Sequence, residues 1–168
     1  NVFAERLGFE GGYCIVEHFP GTSPYYARTW GTITELERVA PRMKLLDRRP
    51  ADLGVDKARE ATAEWIRRFG PEPKGIVSAD DCAQVGIAQV LEEAGRGDVV
   101  CVACGNTRAG MEMLREGKLY AITYQSPELD GALSLQVAID WFNGLQVDPI
   151  RYLPKHIITR EDVEDFLS

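Results

Sequence analysis

A regular alternation of short apolar runs and longer amphipathic stretches constrains the fold of this chain more than any other feature. In residues 55–70, for example, Ala58, Ala61, Trp65 and Phe69 recur at helical spacing on one face. The predicted strands cover residues 13–18, 43–48, 75–79, 98–104, 119–125 and about 155–158, and the predicted helices cover residues 24–39, 55–70, 80–95, 108–117 and 127–143, before a short helix capped at Thr159. Because parallel strands must be joined by crossovers, usually helices, this pattern predicts an α/β fold with a doubly wound parallel sheet.

Charge and hydropathy exclude several classes of protein. The 168 residues carry a formal net charge of −7 without a dense cluster of Lys and Arg, so we expect no nucleic-acid partner for this segment. No apolar run approaches the ~18–20 residues that a membrane-spanning helix needs. The chain begins without Met, on NVFAERLGFEGG, a stretch typical of the end of a helix. We therefore expect a fragment or a processed chain.

The stretch VVCVACGNTRAG, residues 99–110, contains a Cys-x-x-Cys spacing that is typical of redox and zinc sites. In a strand, Cys101 and Cys104 point to opposite faces, and three residue steps place their Cα atoms roughly 10 Å apart, beyond the ~7 Å limit for a disulfide. No second Cys pair or suitably spaced His pair completes a metal site. We therefore predict no metal, with Cys101 in the core and Cys104 at the end of a strand.

No pattern in the chain favours catalysis. Cys14 and His18 would share a strand face at a separation of about 13 Å, too far for a nucleophile and its base. The sequence has no G-x-S-x-G nucleophile motif, phosphate-binding P-loop or dinucleotide-binding G-x-G-x-x-G motif. We therefore predict that the protein is not an enzyme and has no cofactor.

Polar and aromatic residues collect where the predicted strands end. The five carboxyl ends read HFPGTSPYYAR, RRPADL, ADD, CGNTR and YQSP. Ligands of open parallel sheets bind at this edge, and the mixture suits a neutral ligand rich in hydroxyl groups. In the third of these ends, Asp80 is a candidate ligand residue and Asp81 is expected to cap the following helix.

These stretches resemble the second half of type I periplasmic sugar-binding proteins of the ribose-binding kind. The resemblance covers residues 1–168 and rests on PGTSPYYARTWG, RRPADL, GIVSADDCAQVGIAQVLEEAG, REGKLYAITYQSPELDGALSLQVAIDWFNG and IITREDVEDFL, in this order and at matching spacing. It implies the carboxy-terminal lobe of a two-lobe fold. Residues 1–124 would form the lobe, residues 125–150 a hinge crossing and a helix that packs on an amino-terminal lobe, and residues 151–168 the return to the first body.

The resemblance also implies which residues contact a sugar. Arg28 matches an arginine that hydrogen-bonds sugar hydroxyls, and Asp80 matches an Asn or Asp with the same role. Phe19 falls at an apolar pocket position, and Leu53 falls where an aromatic ring often packs on the sugar. Gln125 matches a glutamine at a hinge crossing. The alternatives are a surface ion pair with a Glu for Arg28 and a hinge hydrogen bond without ligand contact for Gln125.

The chain departs from the family pattern after the fourth strand. The family usually has Gly-x-Asp-Gly there, and its Asp binds two sugar hydroxyls, whereas this chain has ACGN, with Gly105 in place of the acid. Asn106 reaching the ligand and Cys104 bordering the pocket are the two substitutes that we consider. Loss of a bidentate carboxylate removes hydrogen bonds of roughly 1.5–3 kcal/mol each. We therefore expect either a ligand other than a pentose held in the usual way, or weak binding.

The resemblance implies a solute-binding component of an ABC importer. Such a protein binds a sugar or polyol between two lobes, delivers it to the transporter permease, and is periplasmic or extracellular. The alternatives are the effector-binding domain of a lactose-repressor-type regulator, which would be cytoplasmic, and a sugar-sensor ectodomain. Without a partner lobe, the apolar face of residues 127–145 predicts self-association.

Overall fold

The computed structural model of the chain describes residues 1–154 and 156–167. Its strands are β1 (Glu10–Glu17), β2 (Arg42–Pro50), β3 (Pro73–Ser78), β4 (Val100–Cys104), β5 (Ala121–Tyr124) and β6 (His156–Thr159). Its helices are α1 (Val2–Arg6), α2 (Ser23–Tyr25), α3 (Gly31–Val39), α4 (Val55–Phe69), α5 (Gln84–Glu93), α6 (Arg108–Arg115), α7 (Pro127–Phe142) and α8 (Glu164–Leu167), and a π-helical turn, Tyr26–Trp30, joins α2 to α3. The predicted alternation of strands and helices is confirmed.

The six strands form one sheet in the order β2-β1-β3-β4-β5-β6, in which β1 to β5 are parallel. The last strand is antiparallel to β5, so the prediction of an entirely parallel sheet is wrong for β6. Tyr124, at the carboxyl end of β5, pairs with His156, at the start of β6. The chain leaves the sheet at this edge, forms α7 and returns to the same edge, so the next strand must run in the opposite direction.

Apolar side chains cover both faces of the central strands. Along β1, Cys14 and Val16 face the core beneath α4, α5 and α6, whereas Tyr13 and Ile15 face the core beneath α1 and α3. Trp65 is the largest fully buried side chain of the first core. The alternation of faces confirms the two-layered burial that is typical of a doubly wound sheet.

The helix after β3 begins later than the sequence predicts. α5 starts at Gln84 rather than at residue 80, and its N-cap residue, Ala83, makes no side-chain capping bond. The prediction that Asp81 caps this helix is therefore wrong. Oδ2 of Asp81 instead accepts hydrogen bonds from the backbone N–H and the hydroxyl of Thr107, each 2.7 Å long, at the N-terminus of α6.

The long helix α7 begins as predicted but packs against little of the described chain. The Ser126 hydroxyl accepts a hydrogen bond of 3.1 Å from the Leu129 N–H and so caps its N-terminus. None of its residues is buried, and Trp141 and Phe142 are 67% and 86% exposed. No helix in the described ranges is long and apolar enough to cross a membrane.

Candidate ligand-binding site

The strand order creates a switch point at the carboxyl ends of β1 and β3. From β1 the chain crosses to β2 on one side, and β3 then pairs with β1 on the other side. The loops that leave β1 and β3 therefore diverge and leave a crevice between them, which is where ligands of such sheets bind.

Arg28 and Asp80 lie together at this switch point. Arg28 belongs to the π-helical turn above β1, and its Nη1 donates a 2.7 Å hydrogen bond to the Ala79 carbonyl at the end of β3. The same atom lies 3.8 Å from Oδ2 of Asp80, and the two side chains are 27% and 19% exposed. The partner of Arg28 is thus this neighbouring carboxylate rather than a surface Glu. A cationic donor and a carboxylate acceptor stand side by side, as the recognition of adjacent hydroxyl groups requires.

The turn after β4 supplies a thiol and an amide but no carboxylate. Gly105 has a φ of +118°, and a Cβ at this position would lie 2.5 Å from Oδ1 of Asp81. The position therefore cannot carry a side chain, so a ligand contact from this turn must come from the backbone, from Cys104 or from Asn106. The Gly105 N–H points to the Thr123 hydroxyl at 3.4 Å, which ties the turn to β5.

Cys104 ends β4 beside the Arg28 guanidinium. Burial raises the pKa of its thiol, and the positive charge of Arg28 and a hydrogen bond with Thr123 offset this effect only in part. The side chain is therefore a neutral thiol at physiological pH. Cys101 is 3% exposed and belongs to the core, as predicted, and all four cysteines are free.

Asn106 and Gln125 meet at the end of β5. The Gln125 N–H donates to Oδ1 of Asn106 at 3.3 Å, and the Gln125 side-chain amide donates to Oδ2 of Asp130 in α7 at 3.2 Å. Gln125 thus makes the hinge hydrogen bond that the sequence left as an alternative. It also lines, together with Arg28, a cavity of about 440 Å³ between β5, β6 and the start of α7.

Phe19 and Leu53 follow two strands that end at the same edge of the sheet. Phe19 is 41% exposed and its ring packs edge-on against His18 at a centroid distance of 5.4 Å. Leu53 has a φ of +60°, an uncommon backbone conformation for a branched side chain. Neither residue lines the cavity that Arg28 and Gln125 share in the described part of the chain.

Asp81 is buried directly below the site. Burial raises the pKa of its carboxyl, an effect that hydrogen bonds from Thr107 offset only in part. Its carboxylate, that of Asp80 and the Cys82 thiol place ligand atoms within 4.8 Å of one another. Oδ2 of Asp81 is occupied by Thr107, and Oδ1 of Asp80 accepts the Cys82 N–H at 2.8 Å, so turn and helix capping accounts for this cluster.

Sequence reasoning missed two groups of residues near the site. Glu17, the last residue of β1, is buried and forms an ion pair with Arg48 of β2. The signal was a single charged residue at the end of the apolar run YCIVE, because such a charge needs a partner when the strand is buried. The other group lines the cavity from the chain after α7: Arg151, Tyr152 and His156.

A doubly wound sheet with polar side chains gathered at its switch point has the architecture of an α/β ligand-binding lobe. The profile of one family, described as the periplasmic binding protein domain, matches residues 1–146, and the chain belongs to this family. This confirms the identification made from the sequence.

Among curated relatives, the chain is 28% identical over 166 residues to a xylitol-binding protein from Mycolicibacterium smegmatis, covering 98% of this chain and 47% of that protein. It is 31% identical over 153 residues to the D-allose-binding periplasmic protein of Escherichia coli, covering 90% and 49%. A solved structure of an ABC transporter solute-binding protein from Bacillus halodurans, with bound myo-inositol, superposes with a TM-score of 0.84 at 25% identity, covering 98% of this chain and 56% of that one. The chain thus spans about half the length of the curated relatives it matches.

Proposed function

We propose that this chain is one lobe of the solute-binding component of an ABC importer and that it binds a sugar or polyol. The observation that carries the proposal is the pairing of Arg28 with Asp80 at the switch point, where a donor and an acceptor are both partly exposed. The relatives named for xylitol and D-allose support this class of ligand. They are binding proteins rather than enzymes, and we assign no catalytic role to the chain.

The ligand class follows from the charges at the site. Cys104 and Asn106 are neutral, so the carboxylate of Asp80 is matched by the guanidinium of Arg28. A balanced pair of this kind favours an uncharged polyol or sugar over an anion or a cation. Because the turn after β4 offers no second carboxylate, we expect weaker binding of ordinary pentoses than of ligands that use the amide or the thiol.

The division of the chain is part of the proposal. Residues 1–124 form the ligand-binding lobe, residues 125–150 cross to the other lobe and pack on it, and residues 151–168 return. The exposure of Trp141 and Phe142 on a helix without buried residues supports this, because such a surface needs a covering partner. The relatives, about twice as long as this chain, have room for that second lobe.

The proposed partners are a permease and a ligand from outside the cytoplasm. Membership of the periplasmic binding protein family and the similarity to a periplasmic D-allose-binding protein support a periplasmic or extracellular location. The matched relatives do not favour the effector domain of a transcription regulator. A ligand-loaded protein would then bind the permease through the outer surfaces of both lobes.

Calorimetric titration of the protein containing both lobes tests the proposal. Xylitol, D-allose, myo-inositol and D-ribose are the probes, and Arg28→Met is compared with Arg38→Met. Arg38 is an exposed arginine whose partner is Glu35 on the same helix. Loss of hydrogen bonds from a charged donor, about 1.5–3 kcal/mol, predicts roughly 10- to 150-fold weaker binding for Arg28→Met. Failure of the parent to bind any probe, or equal affinities of the two variants, would overturn the proposal.

A further inference from the structure

The helical segment that carries Arg28 lies over a buried charge. Glu17 ends β1, and its side chain is 4% exposed. Side chains alternate along a strand, so Glu17 points to the same face as Tyr13 and Ile15, which is the face beneath the π-helical turn and α3. An isolated carboxylate at such a position costs several kcal/mol in desolvation unless it is paired.

Arg48 of the edge strand β2 provides the pairing and also reaches the overlying helix. Its Nη1 donates to Oε1 of Glu17 and lies 3.3 Å from the Tyr25 hydroxyl, which accepts a second hydrogen bond. The guanidinium carbon lies 4.8 Å from the centroid of the Trp30 ring, in a cation–π arrangement. One side chain thus connects the end of β1 to both ends of the segment between residues 25 and 30.

This connection fixes the rotation of the segment about its axis. Tyr25 precedes Arg28 by three residues and Trp30 follows it by two, and both contact Arg48 on the β2 side. Arg28 extends to the β3 side, where it donates to the Ala79 carbonyl. Thr29, between them, is fully buried. A rotation that released Tyr25 and Trp30 from Arg48 would therefore also withdraw the Arg28 guanidinium from the end of β3.

We propose that Glu17 and Arg48 are positioning residues of the ligand site, which hold the π-helical turn so that Arg28 faces Ala79 and Asp80. The proposal deepens the proposed function and, where it concerns affinity, rests on it. An apolar pair of similar volume stabilises a buried position as well as an ion pair does, or better. The directional hydrogen bonds to one carboxylate and one hydroxyl instead select a single orientation of the segment.

The double variant Glu17→Gln/Arg48→Met tests the positioning role without leaving a lone buried charge. Its control is Arg49→Met, because Arg49 is the next residue of β2 and pairs with Asp47 and Glu64 at 3.0 and 3.1 Å. With the best-binding of xylitol, D-allose and myo-inositol as probe, the double variant should bind about tenfold more weakly, and the control should stay within about twofold of the parent.

Two further measurements separate positioning from stability alone. In an Arg28→Met background the same double change should have no further effect on affinity, because the residues act through Arg28. In ¹⁵N spectra without ligand, the guanidinium protons of Arg28 should exchange faster in the double variant than in the parent or in Arg49→Met. A double variant of lowered melting temperature that keeps both the affinity and the protected Arg28 protons would overturn the inference.

The ligand-free measurement keeps the two hypotheses apart. If the parent binds none of the probes, the proposed function fails, and the exchange of the Arg28 protons still decides the positioning role. If the parent binds a probe and the double variant leaves affinity and exchange unchanged, the positioning role fails and the proposed function stands.

Discussion

Replacement of Gly86 by Ala tests the closest approach between two helices of the lobe. A Cβ at position 86 of α5 would lie 2.2 Å from the Val55 carbonyl oxygen and 3.0 Å from the Arg59 nitrogen in α4. Both are backbone atoms, so no side-chain rotation relieves the overlap. Ordinary contact begins at 3.4 Å, and the two helices must therefore separate by roughly 1 Å in a region that is otherwise close-packed.

The expected magnitude combines two opposing effects. Overpacking of a core contact costs about 1–3 kcal/mol, and a clash between backbone atoms belongs at the upper end of this range. Ala is favoured over Gly inside a helix by about 1 kcal/mol. Gly86→Ala should therefore lower the free energy of unfolding by about 2 kcal/mol. Gly31→Ala is the matched control, because Gly31 begins α3 with helical φ and ψ and has open space around it, so it should gain up to about 1 kcal/mol.

Urea unfolding followed by tryptophan fluorescence measures both changes, because Trp65 is buried in the core beside α4. With an unchanged dependence on urea, the two variants should differ by about 3 kcal/mol, and their melting temperatures should move in opposite directions by about 2–4 °C per kcal/mol. If Gly86→Ala is as stable as the parent, or if both variants shift in the same direction, the close helix contact does not exist as described.

Three further substitutions probe the surroundings of the site. The folded-state pKa of Asp81 is raised, so its ionisation disfavours the folded chain and stability falls as the pH rises through that pKa; Asp81→Asn should remove this fall, and a stability difference from the parent that stays constant from about pH 4 to 7 would contradict it. Gly105→Ala combines a positive φ with a clash against Asp81 and should cost about 2–4 kcal/mol, more than Gly95→Ala, which has a positive φ and open space. Arg96→Met removes two 2.7 Å hydrogen bonds to backbone carbonyls before and within β3 and should cost about 2–4 kcal/mol in urea unfolding, whereas a loss below about 1 kcal/mol would show that water replaces them.

The elements that sequence reasoning predicted well are those specified by local signals. Apolar residues at helical spacing located α4, and Ser126 followed by Pro127 located the start of α7. The five stretches at the strand ends all lie at the carboxyl edge of the sheet, because parallel strands present the same ends together. The family was recognisable for the same reason, since several weak local patterns occur in a fixed order.

The features that sequence reasoning did not predict depend on distant partners. Asp81 looked like a helix cap, but its carboxylate binds Thr107, which lies 26 residues later in the chain. The pairing of Glu17 with Arg48 depends on the register between β1 and β2, which shifts between Tyr13 and Cys14. No local pattern marks such an irregularity, and a shift of one residue changes which side chains share a face. The direction of β6 likewise depends on where α7 leaves the chain.

The π-helical turn at residues 26–30 has a consequence for how the site can change in length. Its hydrogen bonds span five residues rather than four, so this turn holds about one residue more than a regular α-helix. Deletion of one residue there restores regular geometry and rotates everything on one side of the deletion by about 100° relative to the other. Insertions and deletions, which elsewhere accumulate in surface loops, are here a direct way to exchange which side chain faces the bound molecule.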